Sequence, residues 1–164
     1  MVHVPDLYEG ATFATVDDGV GHARQIGFDT VLARGRKAAE ELPADLVYAG
    51  FSLGTGPAQL LAQTRSGARG ALLMSGCLPS AAFEAPWPTE VALAVHTTEH
   101  DPWVDLDVAK GLVAEAEGSL ELYPGEAHLF ADPGSIDYDP ALARRLEASV
   151  LDWLRRVDVA TRAA

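Results

Sequence analysis

The sequence has little cysteine, few basic residues and no long apolar run. Cys77 is the single cysteine among 164 residues, which excludes an intramolecular disulfide and a zinc site built from several thiolates. No apolar run approaches the roughly 20 residues that a membrane-spanning helix needs. Residues 1–6 show neither the basic start nor the apolar stretch of a signal peptide. These absences favour a soluble, cytoplasmic protein that does not enter a membrane.

Basic residues are also scarce relative to acidic ones. The chain has 12 Lys and Arg against 24 Asp and Glu, which gives a formal net charge of −12. Such a charge repels phosphate backbones, so we do not expect nucleic acid as a partner. Hydrophobic residues make up 48% and charged residues 22%, as in ordinary globular proteins. We therefore expect one folded domain over residues 1–164.

Short apolar runs alternate with helical patterns along the chain. Strands are predicted at 46–51, 71–75, 91–96 and 119–123, with a stub at 2–4. Helices are predicted at 17–26, from about 29, at 55–64, at 106–116 and from Pro140 onward. This alternation predicts an α/β fold with a mainly parallel sheet flanked by helices. The irregular stretch 79–88 is interpreted as a surface loop near the site.

The segment Gly50-Phe51-Ser52-Leu53-Gly54 matches G-x-S-x-G. The pattern places a nucleophilic serine on a tight strand-to-helix turn, where we expect side chains at both glycine positions to clash. It follows a predicted strand and precedes a predicted helix, which is the context that the motif requires. Ser52 is therefore the predicted nucleophile, and the main-chain N–H of Leu53 is the predicted oxyanion donor. The alternative is a turn without chemistry.

The partners of such a serine follow it in the order acid, then histidine, at the ends of later strands. Asp101 follows the run that ends at His96, and His128 lies in a turn after the run that ends at Tyr123. Asp101 is the predicted orienting acid and His128 the predicted base. The alternative acids are Asp105 and Asp107; the alternative roles are an Asp-Pro turn and an exposed loop histidine.

Three further features of the sequence could carry a function. Residues 96–100, His-Thr-Thr-Glu-His, match the zinc pattern H-x-x-E-H, but that pattern requires a helix and this stretch is predicted as strand and turn, so we expect no metal. Cys77 is interpreted as a buried small residue, with a pocket-lining position as the alternative. Aromatic residues on the predicted site loops are expected to wall an apolar substrate pocket, with simple packing as the alternative: Trp87, Trp103 and Phe130.

Together these segments resemble the dienelactone hydrolase family of α/β-hydrolases. The resemblance rests on residues 4–10, Val-Pro-Asp-Leu-Tyr-Glu-Gly, on the serine motif at 50–54, and on residues 125–130, Gly-Glu-Ala-His-Leu-Phe. The stretch 100–104 fits the acid turn of the same family. The resemblance implies hydrolysis of a carboxylic ester or lactone through an acyl-enzyme, without a cofactor.

The chain departs from that family in three ways. Members that open dienelactones use a cysteine nucleophile and arginines for the substrate carboxylate. This chain has Ser52, with Glu9-Gly10 and Ala131-Asp132 at the arginine positions, so an ordinary esterase with an uncharged substrate is expected.

The third departure is that the resemblance places the start of the chain inside an early strand, so we expect an N-terminally truncated domain that lacks the first strands and the oxyanion loop. The second hypothesis is therefore a non-catalytic or weakly active fragment or subunit that self-associates through exposed sheet edges.

Overall fold

The computed structural model describes residues 1–162. The chain forms two compact units. The first unit comprises Met1–Pro43, and the second begins at Ala44. None of the helices within the described residues combines the length and apolar composition needed to cross a bilayer.

The first unit is a pair of helices, α1 (Val16–Ile26) and α2 (Phe28–Ala39). Helix α1 begins where the hydroxyl of Thr15 accepts the N–H of Asp18, and both helices end in basic residues that complement the helix dipole. Gly27, at φ +84°, separates the helices because few other residues adopt that conformation. Both helices confirm the sequence-based prediction.

Residues 2–4 do not form the predicted strand. They have no regular secondary structure, and the first unit contains no strand with which they could pair. An isolated extended segment leaves its backbone N–H and C=O groups to water, so β-propensity alone does not produce a strand.

The second unit is built on four parallel strands: β1 (Val47–Phe51), β2 (Gly70–Met74), β3 (Ala92–Thr98) and β4 (Ser119–Tyr123). The spatial order β1-β2-β3-β4 is also the chain order, with the registers Phe51↔Met74, Met74↔His96 and Thr98↔Tyr123 at the carboxyl ends. The crossover and closing helices are α3 (Thr55–Thr64), α4 (Leu106–Glu115) and α5 (Pro140–Arg162). The predicted parallel α/β fold flanked by helices is confirmed.

Side chains on the two faces of the sheet pack against different helices. On one face, Leu72 and Ala94 pack against Trp153 and Val157 of α5. On the other face, Tyr48 accepts a hydrogen bond from Arg65 at the end of α3. Because the four strands are parallel, all their carboxyl ends lie at one edge of the sheet, so the loops after β1, β2, β3 and β4 lie together there.

Candidate active site

The turn after β1 holds Ser52 in a strained conformation. Ser52 has φ +50°, a left-handed conformation that non-glycine residues adopt at a cost, and it begins a short 3₁₀ turn that continues into α3. A Cβ atom at position 50 would lie 2.5 Å from Thr55 N and still closer to the carbonyl group of Gly54. The strand and the helix therefore approach so closely that only glycine fits at position 50.

The second glycine of the motif has a different environment. No atom lies within 4 Å of a Cβ placed on Gly54, which has φ −65° and ψ −15°. The sequence-based expectation of a clash at both glycines is therefore correct for Gly50 and wrong for Gly54. Gly54 has helical backbone geometry, which any residue can adopt, and the space around its Cβ position is open.

The side chains of Ser52, His128 and Asp101 form one continuous chain of hydrogen bonds. Ser52 Oγ lies 2.8 Å from His128 Nε2, and His128 Nδ1 lies 2.9 and 2.8 Å from the two carboxylate oxygens of Asp101. Both His128 and Asp101 are 5% exposed. The structure thus brings together all three residues that were predicted to carry the chemistry, although they lie on the loops after β1, β3 and β4.

Each of these groups is held by its own neighbours. Asp101 accepts the main-chain N–H of Trp103 at 2.9 Å and the hydroxyl of Thr97 at 3.3 Å. The carbonyl oxygen of Ser52 accepts the hydroxyl of Thr55 at 2.6 Å. These contacts fix the carboxylate and the serine backbone, so both ends of the hydrogen-bond chain are oriented by the sheet edge.

Leu53 and Trp103, which were predicted to surround the reacting atoms, lie next to Ser52 and His128 respectively. Leu53 is the second residue of the 3₁₀ turn, and the first N–H groups of a helical run have no carbonyl partner within it. Trp103 is 49% exposed, and its ring centroid lies 5.9 Å from that of His128. Leu53 therefore offers an N–H group beside Ser52, and Trp103 an aromatic surface beside His128.

The other two aromatic residues are core residues. Phe130 is 1% exposed and packs with Tyr123 and Leu146, its ring centroid 4.9 Å from that of Tyr123. Trp87 is 5% exposed and donates its indole N–H to the carbonyl of Val91. Fully buried rings offer no surface to a substrate, so these positions disagree with the prediction that Phe130 and Trp87 wall a substrate pocket. Within irregular loops no periodicity shows which way a side chain points.

The structure has a pocket near the sheet edge that does not include the side chains of Ser52, His128 or Asp101. A groove of about 640 Å³ runs along α5 and is lined by Leu129, Tyr138 and Leu146 among others, but by none of the three hydrogen-bonded residues. Phe51 and Leu129, the chain neighbours of Ser52 and His128, also line it. The groove therefore lies on the face of the sheet that α5 covers.

The alternative acids have structural roles. Asp105 is the N-cap of α4 and accepts the N–H groups of Asp107 and Val108. Asp107 is exposed and lies 3.5 Å from Lys110. The carboxylate that contacts His128 is that of Asp101, whose two oxygens lie 2.9 and 2.8 Å from Nδ1.

Residues 96–100 do not form a helix. His96 lies in β3, is 3% exposed and has its Nδ1 atom 3.0 Å from the hydroxyl of Tyr123, while His100 is exposed in the following turn. Burial lowers the pKa of His96, and nearby Glu121 raises it by less. The two histidines therefore occupy different environments, and the described residues contain no group of three or more His, Cys, Asp or Glu placed to hold a metal ion.

Cys77 lies beyond β2 as a free, partly buried thiol. Burial, and to a lesser extent the charge of Asp105, raises its pKa to about 11. A thiol with this pKa is almost entirely protonated near neutral pH, and the thiolate is the nucleophilic form. Cys77 is therefore poorly suited to act as a nucleophile.

One site residue has no counterpart in the sequence-based prediction. Ser75 follows β2, is 2% exposed and donates its hydroxyl to the carbonyl of His128 at 2.8 Å. A serine after a buried strand carries no local pattern that would distinguish this role. The only available signal was its place at the carboxyl end of a parallel strand.

Several solved structures have a similar fold. A candidate dienelactone hydrolase from Klebsiella pneumoniae subsp. pneumoniae MGH 78578 matches with a TM-score of 0.62 and 17% identity, over 86% of this chain and 67% of that chain. The dienelactone hydrolase-like promiscuous phosphotriesterase P91 from metagenomic libraries matches with 0.64 and 17%, over 93% and 72%. A candidate ydeN-like hydrolase from Pectobacterium atrosepticum SCRI1043 matches with a TM-score of 0.52 and 20% identity, over 76% of this chain and 70% of that chain.

At these identities the solved structures show a shared fold, of the α/β-hydrolase type. No curated protein matches the sequence significantly. The family model of the dienelactone hydrolase family, in contrast, matches residues 1–158, nearly the whole chain. The chain therefore belongs to the dienelactone hydrolase family.

Proposed function

We propose that the protein is a serine hydrolase that cleaves a neutral carboxylic ester or lactone through an acyl-enzyme. The observation that carries the proposal is the continuous chain of hydrogen bonds from Ser52 Oγ through both ring nitrogens of His128 to Asp101. Because Asp101 accepts at Nδ1, the Nδ1 atom carries the proton and Nε2 is left as the acceptor for the Ser52 hydroxyl. That is the tautomer in which a histidine can act as a general base.

In the first half of the reaction, Ser52 Oγ attacks the ester carbonyl carbon while His128 Nε2 takes the serine proton. The carbonyl oxygen becomes an oxyanion, which the N–H of Leu53 stabilises at the start of the helical run. When the tetrahedral intermediate collapses, the bond to the alcohol oxygen breaks, and His128 returns the proton to that oxygen. The alcohol leaves, or stays tethered if the substrate is a lactone, and the acyl group remains on Ser52.

In the second half, His128 takes a proton from water, the resulting hydroxide oxygen attacks the acyl carbon, and the proton returns to Ser52 as the acid is released. Throughout, Asp101 stabilises the imidazolium that forms on His128 without itself accepting the proton. Asp101 is suited to this because two further donors, Trp103 N–H and the Thr97 hydroxyl, hold its carboxylate in place.

The charge of the surrounding loops supports an uncharged substrate. The segments that follow the four strands, residues 52–54, 75–91, 99–105 and 124–139, contain no Lys or Arg and several Asp and Glu. A carboxylate on the substrate would meet like charges and no cationic partner there. The exposed ring of Trp103 beside His128 provides apolar contact area for a neutral acyl or alcohol group instead.

The test is covalent labelling by a fluorophosphonate probe, followed by mass spectrometry of the whole chain. We expect one adduct on Ser52 that is absent from Ser52→Ala and unchanged in Ser66→Ala, which removes an exposed serine hydroxyl elsewhere. His128→Gln should slow labelling by at least about a thousandfold, because it removes the base. No adduct, or equal labelling of Ser52→Ala, would show that the chain is not a serine hydrolase.

Substrate class is tested with p-nitrophenyl acetate against p-nitrophenyl hemisuccinate, which carries a carboxylate. We expect kcat/KM to be at least about tenfold higher for the neutral ester. An aryl phosphotriester is a useful third substrate because the related structure P91 is described as a phosphotriesterase. A preference for hemisuccinate would overturn the neutral-substrate part of the proposal.

A further inference from the structure

Ser75, the residue that follows β2, is held in place by its backbone and by its side chain. Ser75 is 2% exposed, and its N–H donates to the carbonyl of His96 at 2.7 Å. Its backbone has φ +53°, a conformation that non-glycine residues keep only where the surrounding contacts impose it. Its hydroxyl donates to the carbonyl of His128 at 2.8 Å. A strained, buried serine thus contacts the backbone of the residue proposed as the base.

The layout of the sheet explains why His128 needs such a contact. Neighbouring strands lie roughly 4.8 Å apart, so the ends of β1 and β4 are separated by three steps, or roughly 14 Å. Ser52 follows β1 and His128 follows β4, yet their side chains are 2.8 Å apart. The segment after β4 must therefore fold back over the ends of β3 and β2 to reach Ser52.

Two hydroxyl groups hold that segment where it crosses the sheet edge. Thr98, the last residue of β3, points its hydroxyl at the carbonyl of Ala127, at a long 3.4 Å, and Ser75 binds the next carbonyl, that of His128, at 2.8 Å. Beside Ser75, a Cβ on Gly76 would lie 3.2 Å from the carbonyl oxygen of Ser52. The two residues after β2 therefore lie between the backbones of Ser52 and His128.

From this arrangement we propose that Ser75 is a positioning residue that sets the location of His128 relative to Ser52. Ser75 does not touch the reacting atoms; it acts through the main chain of His128. Its effect on rate rests on the proposed hydrolase function, whereas its effect on the His128–Asp101 contact does not. The two can therefore be measured separately.

The experiment compares Ser75→Ala and Ser75→Gly with wild type, and uses Ser149→Ala as the matched control. Ser149→Ala also removes a partly buried hydroxyl, which lies on α5 and donates to the carboxylate of Glu121 in β4. The readouts are kcat and KM for p-nitrophenyl acetate and the downfield proton NMR signal of the Nδ1–H group between His128 and Asp101. Ser75→Gly relieves the left-handed strain, so it keeps the test valid if Ser75→Ala folds poorly.

We expect kcat to fall about 10- to 100-fold in both Ser75 variants, since small displacements of a catalytic group have effects of this order. KM should change less than about threefold, because the lost contact orients the base rather than the substrate. The Nδ1–H signal should broaden or disappear in both Ser75 variants and persist in Ser149→Ala.

Wild-type kcat and an unchanged Nδ1–H signal in either Ser75 variant would overturn the positioning role, even if Ser52-dependent hydrolysis is present. If wild type shows no Ser52-dependent hydrolysis, the proposed function fails. Loss of the Nδ1–H signal in the Ser75 variants but not in Ser149→Ala would then still support the positioning role.

Discussion

The two glycines that flank Ser52 should respond in opposite ways to the same substitution. A Cβ on Gly50 would meet backbone atoms of Gly54 and Thr55, the nearest of them well inside contact distance, whereas a Cβ on Gly54 has no atom within 4 Å. Backbone atoms at the start of α3 cannot move aside by changing a rotamer. Gly50→Ala therefore forces the strand and the helix apart, and Gly54→Ala does not.

The size of the effect follows from the distance. A carbon atom needs about 3.4 Å from Thr55 N, against 2.5 Å in the structure, so the helix start must move by about 1 Å. Overpacking of this kind costs typically about 1–3 kcal/mol, and the rigid backbone places Gly50→Ala at the upper end. For a chain of this length we expect Tm to fall by about 6–12 °C. The rate of fluorophosphonate labelling should fall at least about a hundredfold, because Ser52 moves with the turn.

Gly54→Ala is the matched control, and its expected result has the opposite sign. Gly54 lies at φ −65° and ψ −15°, which alanine adopts without strain, so the smaller entropy of the unfolded chain should stabilise the variant by about 0.4–1 kcal/mol. Thermal unfolding by circular dichroism and labelling kinetics measure both effects. Equal destabilisation by the two substitutions would refute the steric explanation and would mean that Gly54 is needed for a reason other than space.

Three further predictions concern residues beyond the serine turn. Hydrogen bonds from the Ser80 hydroxyl and, to a lesser extent, from the Trp87 N–H lower the pKa of Glu115 below its ordinary 4.5. The ionised carboxylate therefore stabilises the fold above pH 4.5, and this stabilisation is lost as the pH falls through the lowered pKa. In a plot of Tm against pH, the decrease of Tm at acid pH should be shallower for Glu115→Gln than for wild type. Burial raises the pKa of the Cys77 thiol from 9.0 to about 11, so iodoacetamide at pH 8 should alkylate it about a hundredfold more slowly than an ordinary thiol. Mass spectrometry measures the rate of alkylation, and a rate as fast as that of an ordinary thiol would contradict the raised pKa. Phe130→Ala should cost about 3–5 kcal/mol in chemical denaturation, whereas Trp103→Ala should leave stability within about 0.5 kcal/mol and raise KM; a stable Phe130→Ala with raised KM would restore the pocket-wall interpretation.

The parallel sheet could be predicted from the sequence because its evidence is local. The apolar runs that became β1 to β4 are bounded by turn residues, and the helices between them show helical spacing, so each element is marked within its own residues. The strand expected at residues 2–4 shows the limit of this approach. A strand exists only with a partner, and the presence of a partner is not a local property.

The same distinction separates the site residues that could be predicted from those that could not. Ser52 is marked by its pentapeptide, and Asp101 and His128 are marked by their places after strands, since parallel strands send all their carboxyl ends to one edge. Phe130 lies two residues from His128 on the same loop, yet its ring is in the core, because an irregular loop has no period that fixes side-chain direction.

The role of Ser75 is the one that local sequence could predict least. Its hydrogen bond joins residues 53 positions apart in the chain, and it comes from β2, the strand that supplies none of the three hydrogen-bonded residues. Because the sheet order is the chain order, β2 must lie between the strand that precedes Ser52 and the strands that precede Asp101 and His128. The residue that follows β2 therefore lies beneath the segment that carries His128 back to Ser52, and a buried hydroxyl at that position can hold His128 without taking part in the reaction.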